Sequence, residues 1–145
     1  MLNAREALKI TVKANYEKEK ERVKNLLTSS AVDFGYSLYL PKNKYLFKVL
    51  NDLGCIYNEE TSIIVLTQYR KGSFMEALVL DVEKRKDELL NAVEVEIREA
   101  AENCHRNTIF SSVANKYQTR WVMNKLLANN FDASMNQEGD LIISW

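Results

Sequence analysis

The single histidine of the chain, His105, follows Cys104 directly. A cysteine beside a histidine could be half of a metal site, or a nucleophile with its base. Neighbours in sequence point in different directions, and no second histidine exists to complete a zinc ligand set. The pair therefore reads as a helix end, where an imidazole also suits the negative pole of the helix. Two carboxylate pairs, Glu59 with Glu60 and Glu138 with Asp140, could do acid–base work, but that needs a concave and partly desolvated setting. Both pairs fall on expected hairpin turns, where carboxylates are solvated. The segment Lys42-Asn43-Lys44-Tyr45-Leu46-Phe47-Lys48 mixes bases with aromatics, as nucleic-acid surfaces do. Its period equally fits an amphipathic helix with a lysine face. No glycine-rich phosphate loop and no GxSxG elbow is present. The expectation is a protein that is not an enzyme, with no catalytic, cofactor-binding or metal-ligating residues and no cofactor.

Composition narrows the remaining classes. Lys+Arg and Asp+Glu number 20 each, so the formal net charge is zero. That balance excludes an acidic DNA mimic and gives no whole-surface attraction to nucleic acid or anionic lipid. Hydrophobic residues make up 46% and charged residues 28% of the 145 positions, an ordinary globular balance that can bury a core without staples. Cys55 and Cys104 lie far apart and in different halves, which suits a reducing compartment. The N-terminal MLNAREALKI lacks a signal-peptide apolar core, and runs such as Ile63 to Leu66 are too short for a bilayer.

These residues must be held by elements that the pattern outlines. Residues 3 to 28 read as a long helix, with Asn3 as its cap, Glu6 completing a capping box, and Leu8, Val12, Tyr16, Val23 and Leu27 on one face. Tyr36 to Leu40 reads as a strand stopped by Pro41. Asn43 to Leu53 reads as a short helix with Leu46, Phe47, Leu50 and Leu53 apolar, closed by Gly54. Cys55 to Asn58 and Ser62 to Gln68 form a hairpin. The order then recurs. Ser73 and Glu76 form a second capping box, and NAREALKITV lies over SFMEALVLDV at an offset of 70, as do Val23 over Val93, Leu27 over Ile97 and Ala31 over Ala101. Thr108 to Val113 reads as a strand, and Tyr117 to Asn129 as a short helix with Trp121, Val122, Leu126 and Leu127 apolar. Phe131 to Met135 and Leu141 to Trp145 form the last hairpin.

The expected fold is therefore α+β. It is a tandem duplication of an αβαββ unit, with repeats at 2–69 and 73–145. Helices pack on antiparallel or mixed sheet, and residues 1–145 form a single domain with one shared core. Leu8, Val12, Leu27, Leu50, Ile64, Leu78, Val82, Ile97, Leu126 and Ile143 are the expected core positions. The last strand is expected to be paired and Trp145 at least partly covered.

Glu99-Ala100-Ala101-Glu102-Asn103 and the stretch Leu126 to Trp145, ending NNFDASMNQEGDLIISW, resemble small uncharacterised proteins of tailed bacteriophages. Those carry an Ala- and Glu-rich helix, a strand, a short helix and a hairpin finishing near Ile-Ser-Trp. The likeness covers roughly the last 50 residues and, more loosely, the first unit. It implies a phage source and carries no catalytic residues. Of seven Tyr and two Trp, most are expected in the core or sheets and some as exposed anchors for a protein partner or a homo-oligomer. The expected function is that of a non-enzymatic phage structural or accessory protein, such as a minor virion component. The alternative is a binding module that intercepts a host protein or a small signalling ligand. The expected location is the virion or the host cytoplasm, with no membrane or nucleic-acid partner, and a small-molecule ligand is left open.

Overall fold

The computed structural model describes residues 1–111 and 114–145. Among them the chain forms α1 (Ala4–Val32), β1 (Ser37–Tyr39), α2 (Leu46–Leu53), β2 (Ile56–Asn58) and β3 (Ile63–Val65). It then forms α3 (Phe74–Glu102), β4 (Asn107–Phe110), α4 (Lys116–Ala128), β5 (Asp132–Met135) and β6 (Leu141–Ser144). The fold is α+β. Ser112 and Val113, the end of the strand expected at Thr108 to Val113, lie outside the described residues. The residues gather into two compact units, Met1–Leu80 and Asp81–Trp145. The boundary falls inside α3.

The helix starts follow from side chains that satisfy free backbone N–H groups. Asn3 Oδ1 accepts from the Glu6 N–H at 2.9 Å, and the Glu6 carboxylate accepts from the Asn3 N–H at 3.2 Å. Asn115 and Gln118 build the same box on α4. At α3 the Ser73 hydroxyl accepts from the Glu76 N–H, while the Glu76 carboxylate takes the N–H of Gly72 in place of that of Ser73. The helix ends also match. Phe34 and Cys104, seventy residues apart, both stand in the left-handed region, at φ 58° and 63°. Each donates its N–H to a carbonyl three residues back, at Ala31 and Ala101, and the next residue donates to Ser30 or Ala100. Gly54 and Asn130 close α2 and α4 in the same manner.

Each unit carries a three-stranded sheet with its last strand in the centre, ordered β1-β3-β2 and β4-β6-β5. All four pairings are antiparallel, which narrows the expected antiparallel or mixed arrangement. In β6 the side chains alternate, Leu141 and Ile143 buried and Ile142 exposed, as a sheet with one covered face requires. Ser144 pairs with both Asn107 and Asp132, and the Trp145 N–H donates to Arg106 O at 3.0 Å. Trp145 is half-buried, its ring edge-on to Phe131 at 6.3 Å.

Among the described residues the buried side chains form a cluster in each unit. The first joins Val23 and Leu27 of α1 to Leu46, Val49, Leu50 and Leu53 of α2, to Ile64, and to Met75 and Val79 of α3. The second joins Val93, Val122, Leu126, Leu141 and Ile143. Six of the ten expected core positions are buried, and Leu78 and Ile97 are half-buried. Leu8 and Val12 overturn the expectation, at 63% and 42% exposed. From α1 the buried cluster and its flanking residues draw on Tyr16, Val23, Leu26 and Leu27, whereas Leu8 and Val12 in the first turns only line a shallow depression with Lys48. On α2, Phe47 is exposed and Val49 takes the inward place, and on α4 Leu127 is exposed. Leu27→Ala is therefore expected to cost about 2–5 kcal/mol of stability, and Leu8→Ala less than about 0.5 kcal/mol. Chemical denaturation of the two variants checks the contrast. Equal losses would show that the first turns of α1 are covered after all.

Candidate docking groove

The residues singled out for chemistry are spread apart. Cys104 and His105 are exposed at the end of α3, held there by the backbone bonds that close the helix. Glu59 and Glu60 sit in the β2–β3 turn, where the Asn58 side chain accepts the Glu60 and Thr61 N–H groups. Glu138 and Asp140 sit in the β5–β6 turn, where Asn136 does the same for their own N–H groups. Both turns are organised by an asparagine, and Glu59, Glu60 and Glu138 are exposed. Among the described residues no three His, Cys, Asp or Glu side chains gather as a metal site.

Lys44, Tyr45, Phe47 and Lys48 of this segment are engaged within unit 1. Lys48 Nζ stands 4.6 Å from the Tyr16 ring centroid and Lys44 Nζ 5.6 Å from that of Tyr45. Phe47 meets Tyr57 edge-on at 5.8 Å. Asn43 donates to Glu19, which also takes a two-point hydrogen bond from Arg22. That guanidinium holds the Glu19 carboxyl below the usual carboxylate range, with Asn43 helping and partial burial opposing. Desolvation pushes the Tyr16 hydroxyl up to about 12, reinforced by its hydrogen bond to the Asp52 carboxylate.

Cys55 and Cys104 differ in kind. Cys55 is buried beside the end of α2, and burial raises its thiol to about 12, the charge of Arg70 offsetting only part of that. Cys104 is exposed. A thiol reagent is expected to titrate one group quickly in the native chain and two after unfolding. Two fast groups in the native chain would contradict the burial of Cys55.

One feature among the described residues that can receive another molecule is a groove in unit 2, with a volume of about 460 Å³. One wall is α3, where Leu90, Val93 and Ile97 recur at helical spacing with Glu94 and Arg98 beside them. The other wall is the last turn of α4, Lys125, Leu126 and Asn129, continued by Phe131. The floor is apolar, and Glu94, Arg98 and Lys125 supply charge at the rim. A smaller depression of about 370 Å³ in unit 1 is lined by Leu8, Val12 and Tyr16 with Lys9, Lys13 and Lys48. Sequence reasoning placed Ile97 and Leu126 in the core and passed over Leu90, Glu94, Arg98, Lys125 and Asn129. Their signal was faint: a charged pair at i and i+4 flanking an apolar stripe reads equally as a solvated helix edge.

Among the described residues no helix is long and apolar enough to cross a membrane. No protein-family model, curated protein or solved structure matches the chain.

Proposed function

We propose that this chain works through protein–protein contacts, as a non-enzymatic structural or accessory protein of a phage. The observation that carries the first part is the groove of unit 2, an apolar trough of about 460 Å³ between α3 and the end of α4. Its floor of Leu90, Val93, Ile97 and Phe131 with charges at the edge has the composition of an interface centre with its rim. The phage setting rests on the resemblance carried by Glu99 to Asn103 and Leu126 to Trp145. The matched order, sheet topology and helix ends of the two units support reading them as a tandem duplication.

Mass spectrometry of purified virions tests the structural role: the chain should be present at a fixed ratio to the other virion proteins. Absence from virions, with expression early in infection, would turn the reading to the alternative, a module that intercepts a host protein or a small signalling ligand. The size of the groove, about 460 Å³, suits the small-ligand form of that second reading, since small-molecule sites have volumes of about 300–1,000 Å³.

A further inference from the structure

Unit 1 contains the counterpart of this groove, and there the chain fills it. Along the long helices Val23, Lys24 and Leu27 stand seventy residues before Val93, Glu94 and Ile97. At the short helices Leu50 and Cys55 correspond to Leu126 and Phe131, because the Cys55 N–H donates to Leu50 O at 3.0 Å and the Phe131 N–H to Leu126 O at 3.1 Å. The filler in unit 1 is the first two turns of α3. Met75 and Val79 are buried in the same cluster as Val23, Leu27, Leu50 and Cys55, with Phe74 and Leu78 packed against it. Lys24 Nζ lies 5.4 Å from the Phe74 ring centroid. The incoming chain is tied to the end of α2 by the Arg70 N–H donating to Gly54 O at 3.0 Å. In this fold, then, a long helix and the end of a short one together receive the opening turns of a further helix. In unit 2 the same place is open.

The chain also presents opening turns of that kind. Leu8 stands seventy residues before Leu78 and Val12 before Val82, and both are exposed on α1. Where α3 has Met75 and Val79, α1 has Arg5 and Lys9; where unit 1 has Lys24, the groove has Glu94. The stems of Arg5 and Lys9 would lie along the apolar floor and carry their charges out toward Glu94 at the rim, while Glu6 in the same turns offers Arg98 and Lys125 a counterpart. Deepening the reading that the chain acts through protein contacts, and resting on it, we propose that the groove of unit 2 receives the first turns of α1 from a second copy of the chain. The two surfaces differ, so the contact is heterologous. Each added copy brings one fresh helix and one fresh groove, and the assembly continues or closes into a ring.

Sedimentation velocity of the full chain across a concentration series tests this. Self-association is expected, abolished by Leu8→Glu with an unchanged circular dichroism spectrum, since Leu8 is exposed in the single chain. Glu94→Lys alone should weaken association, and Glu94→Lys combined with Arg5→Glu and Lys9→Glu should restore it. A chain that stays monomeric throughout, or association that Leu8→Glu leaves intact, overturns the proposal. A synthetic peptide of residues 69–84, the segment that fills the unit 1 site, separates the two levels. If it binds a monomeric chain and shifts the NMR signals of Val93 and Ile97, the groove takes a helix from another protein: the contact reading stands and the second copy is wrong. If the chain neither self-associates nor binds the peptide, both fall.

Discussion

Deleting Ile143 to Trp145 is expected to unfold unit 2. The three residues belong to the central strand of its sheet, so their loss removes pairing on both sides. Ile143 pairs with Thr108 of β4 and Ala133 of β5, and Ser144 with Asn107 and Asp132. Ile143 is fully buried in the second cluster, and losing one such side chain already costs about 2–5 kcal/mol. Trp145 adds its ring contact with Phe131 and its N–H bond to Arg106. Domains of this size hold only about 5–15 kcal/mol in total, so the summed loss is comparable to the whole. Amide hydrogen exchange checks it: β4, α4 and β5 should lose protection, while Val23, Leu27 and Leu50 in the first cluster keep theirs. A truncated chain with native protection in β4 and β5 would show the terminal strand to be dispensable.

The second large effect is expected at Gly54. Its φ of +75° lies in the left-handed region, where a side chain costs about 1–2 kcal/mol. A Cβ there would also stand 2.2 Å from Ser73 Cβ and 2.3 Å from its Oγ. No side chain tolerates that approach, so the segment leading into α3 must move. Ser73 accepts the Glu76 N–H and Arg70 donates to the Gly54 carbonyl, so the shift would disturb the cap and draw Met75 and Val79 from the core. Gly72 is the control, with φ +77° and open space for 4 Å around the place a Cβ would take. Gly72→Ala should lose only the backbone amount. Gly54→Ala should lose several kcal/mol more, on the scale of core disruption. Thermal or urea unfolding of the pair gives the difference directly, and equal losses would mean that Ser73 yields without consequence.

Much of the fold was legible in the residues because its signals are local. Asn3 with Glu6 and Ser73 with Glu76 satisfy free N–H groups within one turn of their own helix, so the starts of α1 and α3 could be read from four letters. Gly54 marked the end of α2 because few other residues adopt its backbone angles without strain. The apolar run from Leu141 read as a closing strand, but three apolar residues in succession could not say which face would be covered; the packing buries Leu141 and Ile143 and exposes Ile142.

The rest depended on what each face meets. Helical spacing puts Leu8, Val12 and Tyr16 on one side of α1, but spacing cannot say how far along the helix its neighbours reach. The sheet and α2 cover α1 from Tyr16 onward, and Leu8 and Val12 are left in solvent. Phe47 and Val49 exchanged places for a similar reason: two positions on one short helix differ in burial only through the direction from which the sheet approaches. The groove was invisible for the same cause. Leu90, Val93, Ile97 and Phe131 are apolar as core residues are, and only the packing shows that no described residue of unit 2 fills the space before them, where Met75 and Val79 fill its counterpart in unit 1. Local hydrogen bonding and backbone sterics thus set the elements from the sequence alone, whereas which apolar surfaces are buried and which stay open is a property of distances between segments far apart in the chain, and the tertiary structure alone decides it.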